Sequence, residues 1–480
     1  MNYTMVFFIL RKFIGMTAIL MLLPLLVSVI YGEANFWAFL VPSLTLLLLS
    51  FATRKMKPKN TTIYAKEGYL IVALAWLIVS LIGALPYYLS NVGLSYLHSL
   101  FEAVSGFTTT GSSVLANVET MPYSLLFWRS FTNWIGGMGV LVFLLAILPQ
   151  TNSRSVHVMR AEMTGHQVGK LVSKVKNTVI ILYGIYILMT LVLIGLLLLG
   201  RMPLFDSIVT AFATAGTGGF AIKNLSIAFY RSPYIETIIG IFMILFGINF
   251  NLYFLAFTAH IKNALKSEEL WWYLGIILVS TVAIACNIYS TYQNAVQSLR
   301  YGFFQVSSII TTTGFTTADY NLWPNFSKTI LVLLMFVGGM AGSTAGGLKV
   351  SRLVILVKSM LREVRTLISP RSVKVIKLDG QGLNDRVVSD VNIYFFTLMV
   401  LLAFSVLLLS LDNLDLVTAF TAAVTSINNV GPGLNGVGPF KSLDGLSNLS
   451  LLVLIFDMLV GRLEIFPIIM LFSPSIWKKK

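Results

Sequence analysis

Ten long apolar runs divide the chain, at residues 8–31, 36–51, 69–89, 123–148, 178–199, 234–260, 270–289, 326–357, 391–411 and 449–471. An α-helix rises 1.5 Å per residue, so about twenty apolar residues cross the roughly 30 Å hydrocarbon core of a bilayer. Each run is therefore predicted as a membrane helix. The first two meet at the polar turn Gly32-Glu33-Ala34-Asn35 and form a hairpin; Pro24 and Pro42 are tolerable kinks in such helices. The other eight pair off, and inside each pair lies a shorter, mildly apolar stretch: 98–107, 205–215, 300–310 and 415–427. About eleven helical residues reach about 16 Å, so these helices enter the bilayer without crossing it. The pattern predicts an all-α polytopic membrane protein. It has a two-helix hairpin at 1–66 and four pseudo-repeated helix–loop–helix units at 67–177, 178–267, 268–388 and 389–480.

Each short helix runs into a polar, glycine-bearing loop. The first is Thr108-Thr109-Thr110-Gly111-Ser112, and Thr311-Thr312-Thr313-Gly314-Phe315 is nearest to it. Gly216-Thr217-Gly218-Gly219-Phe220 is looser, and Asn428-Asn429-Val430-Gly431-Pro432 is the most divergent. In the last, Gly433 and Gly436 compete with Gly431, and the spacing from the Ser/Thr-rich helix end selects Gly431. One such loop alone reads as an ordinary turn. Four at matching places in four repeats read as one pore built four times. The chemistry that asks for this pattern is cation coordination, because backbone carbonyls can replace the water of a dehydrated ion. Aiming successive carbonyls at one axis needs φ > 0, which glycine supplies without steric cost. The C-terminal end of each short helix adds about half a negative charge. Irregular backbone at this depth is stable only where it lines an enclosed, wet cavity.

Composition narrows the class further. Only 11% of the residues are charged, which no soluble domain of this length matches. The net charge of +15 would suit nucleic acid, but the Lys and Arg are concentrated in every second connection, as the positive-inside rule expects. That side is assigned to the cytoplasm, both termini with it, and the four glycine loops fall near the outer face. The first apolar run reads as an uncleaved helix rather than a signal peptide, since a second run follows at once. Cys286 is the only cysteine and lies in an apolar run, where a small packing role is expected; the four His show no metal-ligand spacing. With no Walker A loop, dinucleotide fingerprint or metalloprotease motif, the chain is not expected to be an enzyme or to hold an organic cofactor.

Three further features stand out. Arg462, in Gly461-Arg462-Leu463-Glu464, is a charge inside the last membrane helix. It reads as a pore-facing arginine, with a structural pair to an acid such as Asp457 or Glu464, or snorkelling to the interface, as the alternatives. Glu464, two residues on, cannot share its helix face. The stretch 338–347, with Gly338, Gly339, Gly342, Gly346 and Gly347, is too glycine-rich for an undisturbed helix. It reads as a local unwinding that gates, with close helix packing as the alternative, and Lys349 just beyond it is a candidate for holding or blocking that gate. Trp128, Trp134 and Trp323 are expected as interfacial anchors.

The four span–loop–span units, the quoted glycine loops and Gly461-Arg462-Leu463-Glu464 together resemble the Trk/Ktr/HKT superfamily of potassium transporters. The N-terminal hairpin resembles its bacterial TrkH branch. The resemblance covers nearly the whole chain. It implies a fourfold pseudosymmetric pore carrying K⁺ across a bacterial inner membrane, in a homodimer that binds a cytoplasmic ring of nucleotide-binding TrkA- or KtrA-like subunits. By motif match it assigns filter carbonyls to Thr109, Thr110 and Gly111, to Thr217, Gly218 and Gly219, to Thr312, Thr313 and Gly314, and to Asn429, Val430 and Gly431. It gives Arg462 a place below the filter and makes 338–347 an intramembrane gating loop. Gly218 departs from the Thr-Thr-Gly pattern, and is expected to loosen one wall of the cage. The alternatives are a sodium-conducting relative and a non-transporting membrane scaffold or sensor.

Overall fold

The computed structural model describes residues 2–55, 58, 64–139, 175–257, 261–370 and 375–474. The end of the predicted run 123–148, and the basic residues expected at 150–174, 371–374 and 478–480, lie outside them.

Among the described residues the regular structure is helical, apart from one two-stranded antiparallel hairpin, β1 (Lys377–Leu378) and β2 (Gln381–Gly382). The N-terminal hairpin is α1 (Tyr3–Leu20) and α2 (Leu22–Ile30), continuous as one span, followed by α3 (Trp37–Ala52). Repeat 1 comprises α4 (Ala65–Gly83), α5 (Leu85–Leu89), α6 (Tyr96–Phe107) and α7 (Tyr123–Gly137). Repeat 2 comprises α8 (Val175–Leu199), α9 (Leu204–Ala215), α10 (Pro233–Phe246), α11 (Phe250–Phe257) and α12 (Ile261–Ala264). Repeat 3 comprises α13 (Glu268–Tyr292), α14 (Ala295–Ile310), α15 (Asn325–Val337) and α16 (Val350–Ile368). Repeat 4 comprises α17 (Asp385–Leu409), α18 (Leu416–Ile427), α19 (Asn448–Arg462) and α20 (Phe466–Leu471).

Among the described residues, six helical segments are long and apolar enough to span a membrane without a break. They are the two arms of the hairpin and the outer helix of each repeat. The second helices of repeats 2, 3 and 4 are interrupted instead, where only the third was expected to be: α10 and α11 meet at 90° around residues 247–249, residues 338–349 part α15 from α16, and Leu463–Ile465 part α19 from α20. In repeat 1, α7 ends at Gly137, inside the predicted run 123–148, and the rest of that run lies outside the described residues. The predicted continuous helices over 234–260 and 449–471 are thus corrected. At the last break Glu464 and Ile465 both take left-handed backbone, with φ of 55° and 67°, which no α-helix can contain.

The breaks let the second helices run in beneath the short ones. In lipid, helices associate by close packing rather than by leaving water, so small residues set the approach. A methyl built on Gly136 would sit 1.9 Å from the carbonyl oxygen of Phe107, and one on Gly461 would sit 1.8 Å from that of Ile427. The backbones therefore touch at the C-terminal ends of α6 and α18.

The short helices start where capping dictates. Ser95, Asn294 and Asp415 are the N-caps of α6, α14 and α18, and their side chains accept from the N–H of His98, Gln297 and Thr418. The three tryptophans expected as interfacial anchors, Trp128, Trp134 and Trp323, each tie one element to another. Buried Trp128 donates its indole N–H to the Gly83 carbonyl at 3.1 Å, and buried Trp323 donates to the Tyr292 hydroxyl at 3.1 Å. Half-buried Trp134 donates to Thr190 Oγ1 at 3.3 Å. Cys286 is exposed on the outer side of α13, not packed as expected.

Candidate functional site

All four short helices end in the same way, with the same register. In the first, the N–H of Thr109 donates to the Gly106 carbonyl at 3.1 Å and that of Thr110 to the Ser105 carbonyl at 2.9 Å. Thr217 and Gly218, Thr312 and Thr313, and Asn429 and Val430 repeat both bonds, at 2.8–3.2 Å. This is the Schellman termination, whose fifth residue must be left-handed. Thr109, Thr217, Thr312 and Asn429 hold φ of 56°, 54°, 55° and 54°. Threonine there costs about 1–2 kcal/mol, yet three loops of the four use it. Two residues on, Gly111, Gly219, Gly314 and Gly431 return to positive φ, at 84°, 61°, 85° and 102°. The alternation of left-handed and ordinary residues turns successive carbonyls to one side of each loop.

The loops close a ring. A methyl on Gly111 would lie 2.2 Å from the Gly218 carbonyl oxygen, one on Gly219 1.8 Å from that of Thr313, one on Gly314 2.4 Å from that of Val430, and one on Gly431 2.7 Å from that of Thr110. Repeat 1 thus touches 2, 2 touches 3, 3 touches 4, and 4 touches 1, around one axis. The twelve residues read from the sequence come together here, with Gly431 at the fourth corner. The four glycines also line one cavity of about 140 Å³.

Side chains lock the loops from behind. The Ser105 and Ser308 hydroxyls donate to the carbonyls of Ser112 and Phe315, at 2.6 and 2.7 Å. Ser112 Oγ donates to the Gly431 carbonyl at 3.0 Å, tying loop 1 to loop 4. Gly218 leaves no void. A methyl there would lie 2.4 Å from the carboxamide carbon of Asn133, and one on Gly216 2.1 Å from the Asn133 carbonyl oxygen. Helix α7 of repeat 1 fills the place that Thr110, Thr313 and Val430 fill with their own side chains. The Asn133 carboxamide is fully buried, with no hydrogen-bond partner among the described residues.

One buried ion pair was missed in the sequence. Arg129 Nε donates to Glu102 Oε2 at 3.1 Å. Glu102 accepts from the Ser113 hydroxyl at 2.6 Å and the Val114 N–H at 2.7 Å in loop 1. Arg129 donates to the Ala221 carbonyl at 3.1 Å, and its guanidinium lies 4.1 Å from the Phe220 ring centre in loop 2. The available signal was two opposite charges inside the apolar helices of one repeat.

The glycine-rich segment of repeat 3 lies under this ring. Gly338, Gly342, Gly347 and Lys349 all have φ between 74° and 77°. The N–H of Gly346 donates to Thr312 Oγ1 at 2.7 Å, so the segment touches the ring itself. Gly339 packs against Ala345, and the Met340 N–H donates to the Gly247 carbonyl at 2.9 Å, seating the segment in the break of repeat 2. The buried ammonium of Lys349 donates to the Ala345 carbonyl, within the same segment.

Arg462 lies at the crossing point. Its guanidinium donates to the Thr344 carbonyl at 3.0 Å, to the Gly137 carbonyl at 2.9 Å and to the Gly136 carbonyl. Gly136 and Gly137 are the last residues of α7, at the end of the helix where the carbonyls carry partial negative charge; the Gly136 carbonyl also accepts from the Gly139 N–H at 3.1 Å. The acids named as its partners from the sequence are engaged elsewhere. Asp457 accepts from the Ser405 hydroxyl at 2.7 Å, and Glu464 pairs with Arg352 at 2.6 Å. A cavity of about 70 Å³ opens among Gly137, Gly342, Lys349 and Arg462. The glycine segment thus lies between the ring, which it meets at Thr312, and Arg462, which it meets at Thr344.

The family model described as "TrkH: Cation transport protein" matches residues 34–479. The chain is 35% identical to the Trk system potassium uptake protein TrkH of Salmonella typhimurium, over 98% of this chain and 99% of that one. It is 31% identical to the Trk system potassium uptake protein TrkG of Escherichia coli, over 95% of each. Its fold matches the crystal structure of the potassium transporter TrkH from Vibrio parahaemolyticus with a TM-score of 0.88, at 30% identity and over 100% of both chains.

Proposed function

The chain belongs to the TrkH family of cation transport proteins, and on that premise we propose that it takes up K⁺ through a pore that its four repeats enclose. The observation that carries this reading is the closed ring of glycine-to-carbonyl contacts from Gly111 through Gly219 and Gly314 to Gly431. Carbonyls of Thr109, Thr110 and Gly111 and their counterparts in the other loops replace the water of the ion. No covalent step is involved, and the ion is cargo rather than cofactor. An inside-negative potential helps entry by about 2.3 kcal/mol per charge per 100 mV.

The segment 338–349 is the gate in this reading, which its contact with Thr312 of the ring supports. Arg462 is a fixed positive barrier and, through Thr344, a tie on that gate. The protein works in a bacterial inner membrane with both termini in the cytoplasm. It acts as a homodimer under a cytoplasmic nucleotide-binding ring of the TrkA or KtrA kind. Rubidium tracer uptake into liposomes under an inside-negative potential tests the reading. Uptake suppressed by K⁺ and not by Na⁺ supports it, whereas no uptake by correctly folded protein rejects it.

A further inference from the structure

We propose that Glu269, at the start of the outer helix of repeat 3, is the latch that holds the gate closed. The proposal rests on the reading of 338–349 as the gate. Glu269 Oε1 accepts from the Ala341 N–H at 2.8 Å and from the Ser351 N–H at 3.0 Å. The Ser351 hydroxyl bonds the same carboxylate. One side chain thus grips the glycine segment on its upstream arm and at the first turn of α16, pinning both limbs to a third element. It is buried, at 7% exposure, so water cannot stand in for it. Charge-assisted hydrogen bonds of this kind are about twice as strong as neutral ones.

The surroundings of Glu269 give the latch a handle. Next to it, the Glu268 N–H donates to Asp379 Oδ1 at 2.7 Å in the β1–β2 turn, and the Glu268 carboxylate pairs with Lys358 of α16 at 2.5 Å. Lys358 also donates to the Lys377 carbonyl at 2.7 Å. The first turn of α13 therefore joins the hairpin to both limbs of the gate. A displacement of the hairpin pulls on the element that carries Glu269. Two discrete arrangements of such a packed element are what a gate requires.

Glu269 is a positioning residue: it acts through the segment, not on the ion. Rubidium tracer flux is measured in liposomes holding the full chain alone, with thermal unfolding in detergent as a folding check. Glu269→Ala raises flux about tenfold, the population shift expected for losing a buried hydrogen bond to a charged group. Glu269→Gln keeps an acceptor oxygen but loses the charge, so its flux falls between the wild type and Glu269→Ala, a partial rescue that a loss of general stability does not give. Ser351→Pro removes both donors that Ser351 supplies, its N–H and its hydroxyl, and leaves only the Ala341 N–H; it lies within the first helical turn, where proline is tolerated. It raises flux even if Glu269→Ala fails to fold. Deleting 342–346 is the control for the gate itself. If that deletion raises flux while folded Glu269→Ala and Ser351→Pro do not, the latch is refuted and the gate stands. If the deletion also leaves flux unchanged, the gate reading falls, and the latch with it.

Discussion

Arg462 and Thr344 are 118 residues apart in sequence and joined by a 3.0 Å hydrogen bond from guanidinium to backbone carbonyl. The same guanidinium reaches the end of α7 through Gly136 and Gly137. One side chain therefore binds the glycine segment of repeat 3 to the break in repeat 4 and to the end of α7 in repeat 1, and its donors hold the backbone around it.

Replacing Arg462 by Ala is expected to raise K⁺ flux. At about 6 Å and an effective dielectric constant near 20, two unit charges repel by roughly 3 kcal/mol. That barrier vanishes together with the tie to Thr344. Arg462→Lys keeps the charge but cannot span three carbonyls, since an ammonium lacks the planar fork; its flux should fall between the two. Tracer uptake and thermal stability measured together decide it. Unchanged or lower flux with a large loss of stability in the Ala variant would mark Arg462 as purely structural.

Much of this was legible in the sequence. The ten apolar runs, the four short helices and the twelve loop positions follow from span length, half-span length and glycine spacing. The register of the divergent fourth loop came from its distance to the helix end, because a Schellman termination fixes that count. The breaks in repeats 2 and 4, and the end of α7 at Gly137, were not legible. Hydropathy is blind to a bend inside an apolar run, and Glu464-Ile465 carries no glycine to announce left-handed backbone. The partners of Arg462 were also beyond reach, since they are backbone carbonyls, which every residue has. The role of Gly218 could not be read either, because the group that fills its place comes from Asn133 in another repeat.

Asn133→Ala should lower K⁺ over Na⁺ selectivity. The carboxamide stands where the second loop lacks a side chain, and its loss frees Gly218 to shift. Reversal potentials under opposed K⁺ and Na⁺ gradients should move toward zero by a measurable fraction, with the melting temperature little changed. An unaltered reversal potential would show that the second loop holds its own shape.

Glu102→Ala should destabilise the protein by about 3–5 kcal/mol, because it leaves the Arg129 charge buried and unpaired. Replacing both residues by apolar ones of similar volume should restore much of that loss. Thermal unfolding in detergent measures both variants. Equal stability of the single variant and the wild type would contradict the assignment of this pair as the brace between loops 1 and 2.

Deleting 342–346 should raise flux in the chain freed of any cytoplasmic partner, because the contact from Gly346 to Thr312 is lost. A folded deletion variant with lower or equal tracer uptake would make the segment a packing element.

The central claim is one selective ring with four corners, and the reversal potential of four single variants tests it most directly. Gly111→Ala, Gly219→Ala, Gly314→Ala and Gly431→Ala each place a methyl against the carbonyl of the next repeat, at a backbone angle that alanine resists. The account predicts that all four reduce the K⁺ over Na⁺ preference, the divergent Gly431 no less than Gly111. A single corner whose folded variant keeps the wild-type reversal potential would contradict it.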